Sequence, residues 1–138
     1  MSEVFADAFY YIALLNPSDR FHAAAVKATQ ALRGPLVTTH WILVELADAL
    51  SAPSVRQLTS RFLQSIEADP NTRIIQPDTA WYTLGLSLYG SRPDKSWSLT
   101  DCISFEIMRS RGIAEALTGD RHFVQAGFQA LLLFPEAP

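Results

Sequence analysis

The chain has 138 residues, 49% of them hydrophobic, with 11 Lys plus Arg against 14 Asp plus Glu and a formal charge of −3. This length suits one domain spanning residues 1–138, whose core buries roughly 70% of the unfolded surface and needs no disulfide or zinc staple. The single cysteine, Cys102, excludes an internal disulfide framework and a Cys-based zinc finger, and it points to a reducing compartment, the cytoplasm. The longest apolar run, residues 8–15, is far below the ~20 residues of a membrane-spanning helix, and no Lys or Arg precedes Arg20 to make a secretory leader. The acidic balance argues against holding nucleic acid by bulk positive charge, while leaving room for a local basic rim.

In chain order, residues 3–6 read as a first strand, followed by a helix from Ala8 that breaks at Asn16-Pro17-Ser18. Ser18 is placed to cap a helix over 19–32, which Gly34-Pro35 ends. A second strand covers 36–38. Thr39 then caps a helix over 40–50, and another runs over 55–68 until Pro70. A third strand over 73–75 leads to a helix over 79–89 and a polar loop over 91–96. Ser98-x-x-Asp101 has the spacing of a capping box opening a helix that ends near Arg111-Gly112, with its acid at the positive end and its arginines at the negative end. A fourth strand over 113–117, a short helix over 121–126 and a fifth strand over 129–134 complete the reading, with no internal repeat. Strands alternating with helices imply right-handed crossovers and a three-layer α/β/α domain around a parallel sheet, in which sites lie beyond the C-terminal strand ends.

That rule draws attention to the acids following the strands. Asp7 follows Val4-Phe5-Ala6 in an apolar neighbourhood, and an N-cap role alone accounts for it about as well as a site role. Glu45 interrupts an apolar helix, with Trp41, Ile42 and Ala49 at i−4, i−3 and i+4, so it is expected on an apolar face with an arginine or a metal as partner. Asp101 is also explained by the helix dipole. Asp120 follows the fourth strand and the turn Thr118-Gly119. All four lie toward one edge of the expected sheet. Two unit charges ~4 Å apart repel by ~4 kcal/mol at an effective dielectric near 20, so the cluster calls for a divalent cation. Carboxylate ligation points to Mg²⁺ or Mn²⁺ over zinc.

Trp97-Ser98-Leu99-Thr100-Asp101-Cys102 opening a helix, then Ala116-Leu117-Thr118-Gly119-Asp120-Arg121-His122-Phe123 with its aspartate 19 positions after Asp101, follow Asp7 and Val44-Glu45-Leu46 in order. Over nearly the whole chain this pattern resembles the PIN-domain ribonuclease toxins of bacterial toxin–antitoxin pairs, the VapC family. The resemblance implies a five-stranded parallel sheet of flavodoxin-like topology, with Asp7, Glu45, Asp101 and Asp120 around one or two Mg²⁺ ions. It further implies an endoribonuclease in which the metal activates water for in-line attack on phosphorus. Asp7 and Asp101 would be the primary ligands, and Asp120 or Glu45 would orient or deprotonate the water. An RNA substrate, a cognate antitoxin and a homodimer are the implied partners. The chain departs from the family in carrying Ala8 and Phe9 after the first aspartate, where a hydroxyl or amide residue is common.

Around this core, Thr118 is positioned to bond a phosphate or a ligating carboxylate, or simply to form the turn. Arg92, Lys95 and Arg121 flank the acidic edge as phosphate contacts, and Trp97, Tyr10 and Tyr11 are candidates to stack on unpaired bases. Asp94 reads as solvated. The three histidines, His22, His40 and His122, show no zinc-site spacing and are read as peripheral. A second function class also fits: a PIN-like domain without catalysis, serving as an RNA-binding or protein-docking module.

Overall fold

The computed structural model describes residues 2–133. In chain order it comprises β1 (Val4–Ala6), α1 (Ala8–Leu15), α2 (His22–Gln30), β2 (Leu36–Thr39), α3 (His40–Ala49), α4 (Arg56–Ala68), β3 (Thr72–Ile75), α5 (Thr79–Ser91), α6 (Leu99–Arg111), β4 (Glu115–Leu117), α7 (Arg121–Gln125) and β5 (Gln129–Ala130). The five strands form one parallel sheet in the order β3-β2-β1-β4-β5, with Phe5 opposite both Val37 and Ala116. Every residue of β1 and β2 is buried, on both faces of the pleat, so helices cover the sheet on both sides. The expected five-stranded parallel α/β architecture is therefore present. Its order differs from the flavodoxin-like 2-1-3-4-5 by placing β2 between β1 and β3, as in the first five strands of the dinucleotide-binding order.

The order matters because it reverses direction at β1, whose neighbours are β2 on one side and β4 on the other. The chain leaving β1 and the chain leaving β4 thus diverge at a crevice over the C-terminal strand ends. Below it the core is aromatic: Phe5, Phe105 and Phe123 are fully buried, and the Phe105 and Phe123 rings meet edge to face at 5.0 Å.

Several boundaries move for local reasons. The second helix starts at His22, not at 19, because the Asp19 carboxylate accepts the Phe21 backbone N–H at 2.8 Å and holds the chain in a turn, and Ser18 caps nothing. Glu3 leaves the first strand to pair with Arg73 and Arg111. Thr39 is both the last residue of β2 and the cap of α3, its Oγ1 accepting the Ile42 N–H at 3.1 Å. Gly112 ends α6 in the left-handed region at φ 68°, which delays β4 until Glu115. The fifth strand is shorter than expected: after Ala130 the chain turns through residues 131–133, and the predicted end at Phe134 lies outside the described residues.

Candidate metal centre

Asp7 stands one residue beyond β1 and is buried at 5% exposure. It occupies the N-cap position of α1, yet its side chain makes no capping hydrogen bond, so a capping role does not explain it. Instead Oδ2 accepts the Thr118 hydroxyl at 2.8 Å. The same Oγ1 accepts the backbone N–H of Asp120 at 3.0 Å. Thr118, fully buried, therefore ties the acid after β1 to the acid after β4, and it meets a carboxylate as well as forming the turn.

Asp101 comes to the crevice through the capping box that the Ser98 spacing predicts. Ser98 Oγ accepts the Asp101 N–H at 2.9 Å, and Asp101 Oδ2 accepts the Ser98 N–H at 3.1 Å. Capping does not exhaust that carboxylate. Its Oδ2 also meets His122 Nδ1 at 3.0 Å, and the same nitrogen lies 3.4 Å from Asp120 Oδ1. Asp101, Asp120 and His122 each present one ligand atom within 4.8 Å of the others. His122 is thus a site residue that reading it as peripheral missed. The signal was the cap geometry: Asp120 Oδ1 accepts the His122 backbone N–H at 2.9 Å, which brings the residue two places along back over its own cap.

Glu45 corrects a second expectation. Its side chain is exposed, not set on an apolar face, because α3 directs Ile42, Leu43 and Leu46 into the core and leaves Val44 and Glu45 at the rim. It still faces the other acids across the crevice. Partial desolvation raises its pKa above the ordinary carboxylate value, reinforced by Asp101 and Asp120. The Asp101 pKa is also raised, by burial first, against the opposing hydrogen bonds from His122 and Ser98. Asp7 is the extreme case. Burial, opposed by the Thr118 hydrogen bond and reinforced by Glu45 and Asp101, pushes it up from 3.8 to about 7.

The aromatic candidates fall away. Trp97 is buried at 4% exposure; its indole N–H donates to Gln125 at 3.0 Å, Phe105 packs edge-on at 5.1 Å and the Arg92 guanidinium covers the ring at 5.1 Å, so no base reaches it. Tyr10 and Tyr11 lie in the core at 1% and 3% exposure. Arg92 is held in a two-pronged pair with Asp94, which is therefore ion-paired at the surface. Arg121 is exposed beside Asp120. Burial raises the Cys102 pKa, as suits a packed thiol and not a nucleophile.

The donor set fits a divalent cation. Three carboxylates in one crevice have pKa values raised by burial and by neighbouring acids, and among the described residues no Lys or Arg is ion-paired with any of the four acids, while the His122 ring contacts Asp101 and Asp120. Such a cluster favours either protons or a metal, and oxygen ligands suit a hard ion.

A five-stranded parallel α/β sheet with acids gathered beyond β1 and β4, and contributed by α3 and α6, defines an α/β domain with a candidate acidic metal site. No protein-family model matches the chain. It is 28% identical over 136 aligned residues to the 23S rRNA-specific endonuclease VapC20 of Mycobacterium tuberculosis, in strains CDC 1551 / Oshkosh and H37Rv, covering 91% of this chain and 95% of the relative. The crystal structure of M. tuberculosis VapC20, described as a Sarcin-Ricin loop cleaving toxin, matches with a TM-score of 0.84 at 22% identity, over 91% of this chain and 95% of that one. The resemblance to the VapC PIN-domain ribonucleases, read first from the motifs, is borne out.

Proposed function

We propose that the chain, acting as a single domain in the cytoplasm, is an endoribonuclease toxin that hydrolyses RNA phosphodiester bonds with Mg²⁺ or Mn²⁺ and is held in check by a cognate antitoxin. The observation that carries this reading is the convergence of Asp7, Glu45, Asp101 and Asp120 on the crevice, with Asp7 held at about 7 by its surroundings. A bound divalent cation supplies a reactive water at neutral pH and offsets charge on the phosphate and the leaving oxygen. The chain's own groups do the rest. Asp7 and Asp101, the most buried acids, hold the ion, with Thr118 fixing the Asp7 carboxylate and Ser98 fixing that of Asp101. Glu45 and Asp120, more open to solvent, are the groups to orient the water and take its proton. Arg121 offers a phosphate contact at the rim. Because the relative is named for 23S rRNA, ribosomal RNA is the first substrate to test; a homodimer is the assembly that the VapC resemblance implies.

Purified protein is expected to cut RNA with Mg²⁺ or Mn²⁺ and to stop in excess EDTA, while Asp7→Asn and Asp101→Asn each lose most of the activity. Cleavage that survives EDTA, or full activity in both variants, overturns the metal mechanism. RNA affinity without turnover in any metal assigns the chain to the binding-module class instead.

A further inference from the structure

We propose that the cavity beside Glu45 is a pocket for one unpaired nucleobase of the RNA, with Trp41 as its stacking platform; this deepens the endoribonuclease reading and rests on it. The cavity has a volume of about 410 Å³ and lies between one face of α3, from His40 to Asp48, Pro77 in the β3–α5 connection and the start of α6. That is the size range of a small-ligand pocket.

Position is the first argument. Glu45 lines this cavity and also faces the acidic cluster, and Thr100 on its opposite wall is the residue before Asp101. A base seated there is joined through its own ribose to a phosphate at the carboxylates. Wall chemistry is the second. Trp41, Val44 and Pro77 make an apolar surface that folding has left open: Val44 is 59% exposed and Trp41 only partly covered, whereas Trp97 is sealed in the core. A flat ring stacked on an indole is how single-stranded RNA is commonly held, and Pro77 adds apolar surface beside it. Charge is the third argument. The polar groups at the pocket are His40, Glu45, Asp48 and Thr100: the two carboxylates repel a phosphate and accept hydrogen bonds from the N–H donors of a neutral base, and the His40 imidazole and the Thr100 hydroxyl add further hydrogen-bonding groups.

The test uses a single-stranded oligonucleotide with one cleavage site, and copies in which the nucleotides flanking that site are made abasic one at a time. Trp41→Ala is expected to raise KM about tenfold with kcat nearly kept, and Trp41→Phe to recover most of the loss. One abasic copy is expected to show the same rise with the unaltered protein and no further rise with Trp41→Ala. Equal KM values for the unaltered protein and Trp41→Ala, or losses from the abasic site and from the variant that multiply, overturn the pocket. The abasic series needs no variant that might fold poorly. Failure of the endoribonuclease reading looks different: the unaltered protein then cuts none of the oligonucleotides in any metal, whether or not it binds them, and the pocket as stated falls with it.

Discussion

Replacing Asp7 by Asn tests the electrostatic argument directly. In the folded chain the Asp7 carboxyl keeps its proton up to about pH 7, whereas in the unfolded chain it ionises near 3.8. The native state therefore binds more protons between those values, and the metal-free protein loses stability as pH rises from 4 to 7. Above pH 7 the loss is complete, and three pKa units correspond to about 4 kcal/mol. Asn keeps the shape and an acceptor for the Thr118 hydroxyl without the charge. In EDTA at pH 8 the variant should be more stable than the parent by up to about 4 kcal/mol, or roughly 14 °C in Tm, and at pH 4 the two should be alike. Mn²⁺ at 100 times its Kd should close most of that gap at pH 8, because it adds about 2.7 kcal/mol to the parent and much less to a chain lacking a ligand. Urea unfolding followed by circular dichroism at both pH values, with and without Mn²⁺, measures all four differences. A variant that is no more stable than the parent at pH 8, or equally stabilised at pH 4, sinks the claim that Asp7 is a buried charge awaiting a cation.

Further substitutions probe the capping box and the packing of the core. Ser98→Ala removes one half of the capping box and should lower stability by about 1 kcal/mol and weaken Mn²⁺ binding, read by calorimetric titration, while Ser98→Thr should keep both. Gly85 lies where α5 crosses α6, and a methyl group there would collide with the Ile103 side chain and come within 3.1 Å of its Cα, so Gly85→Ala should cost about 1–3 kcal/mol by thermal unfolding despite its better helix propensity. The Tyr11 hydroxyl is buried with no hydrogen-bond partner among the described residues, so Tyr11→Phe should leave the urea midpoint unchanged or raise it.

The chain alone determined the alternation of strand and helix, the capping box at Ser98 and the two aspartate motifs, because each depends on residues a few places apart: period, cap and turn chemistry act locally. Thr39 and Gly112 end their elements by the same short-range rules. Local spacing was also enough to put Asp7 and Asp120 at strand ends. It was not enough to tell Glu45 at a rim from Glu45 on an apolar face, since α3 meets its neighbours along a stripe that periodicity locates only to within one residue. Nor did it distinguish the sealed indole of Trp97 from the open one of Trp41, or reveal that His122 closes on Asp101, 21 residues back along the chain. Those outcomes depend on how α6 and α7 pack over β4 and on which strands flank β1. Burial, a hydrogen bond across the crevice and a carboxyl held at about 7 come from atoms brought together by that packing, and no stretch of the chain contains them by itself.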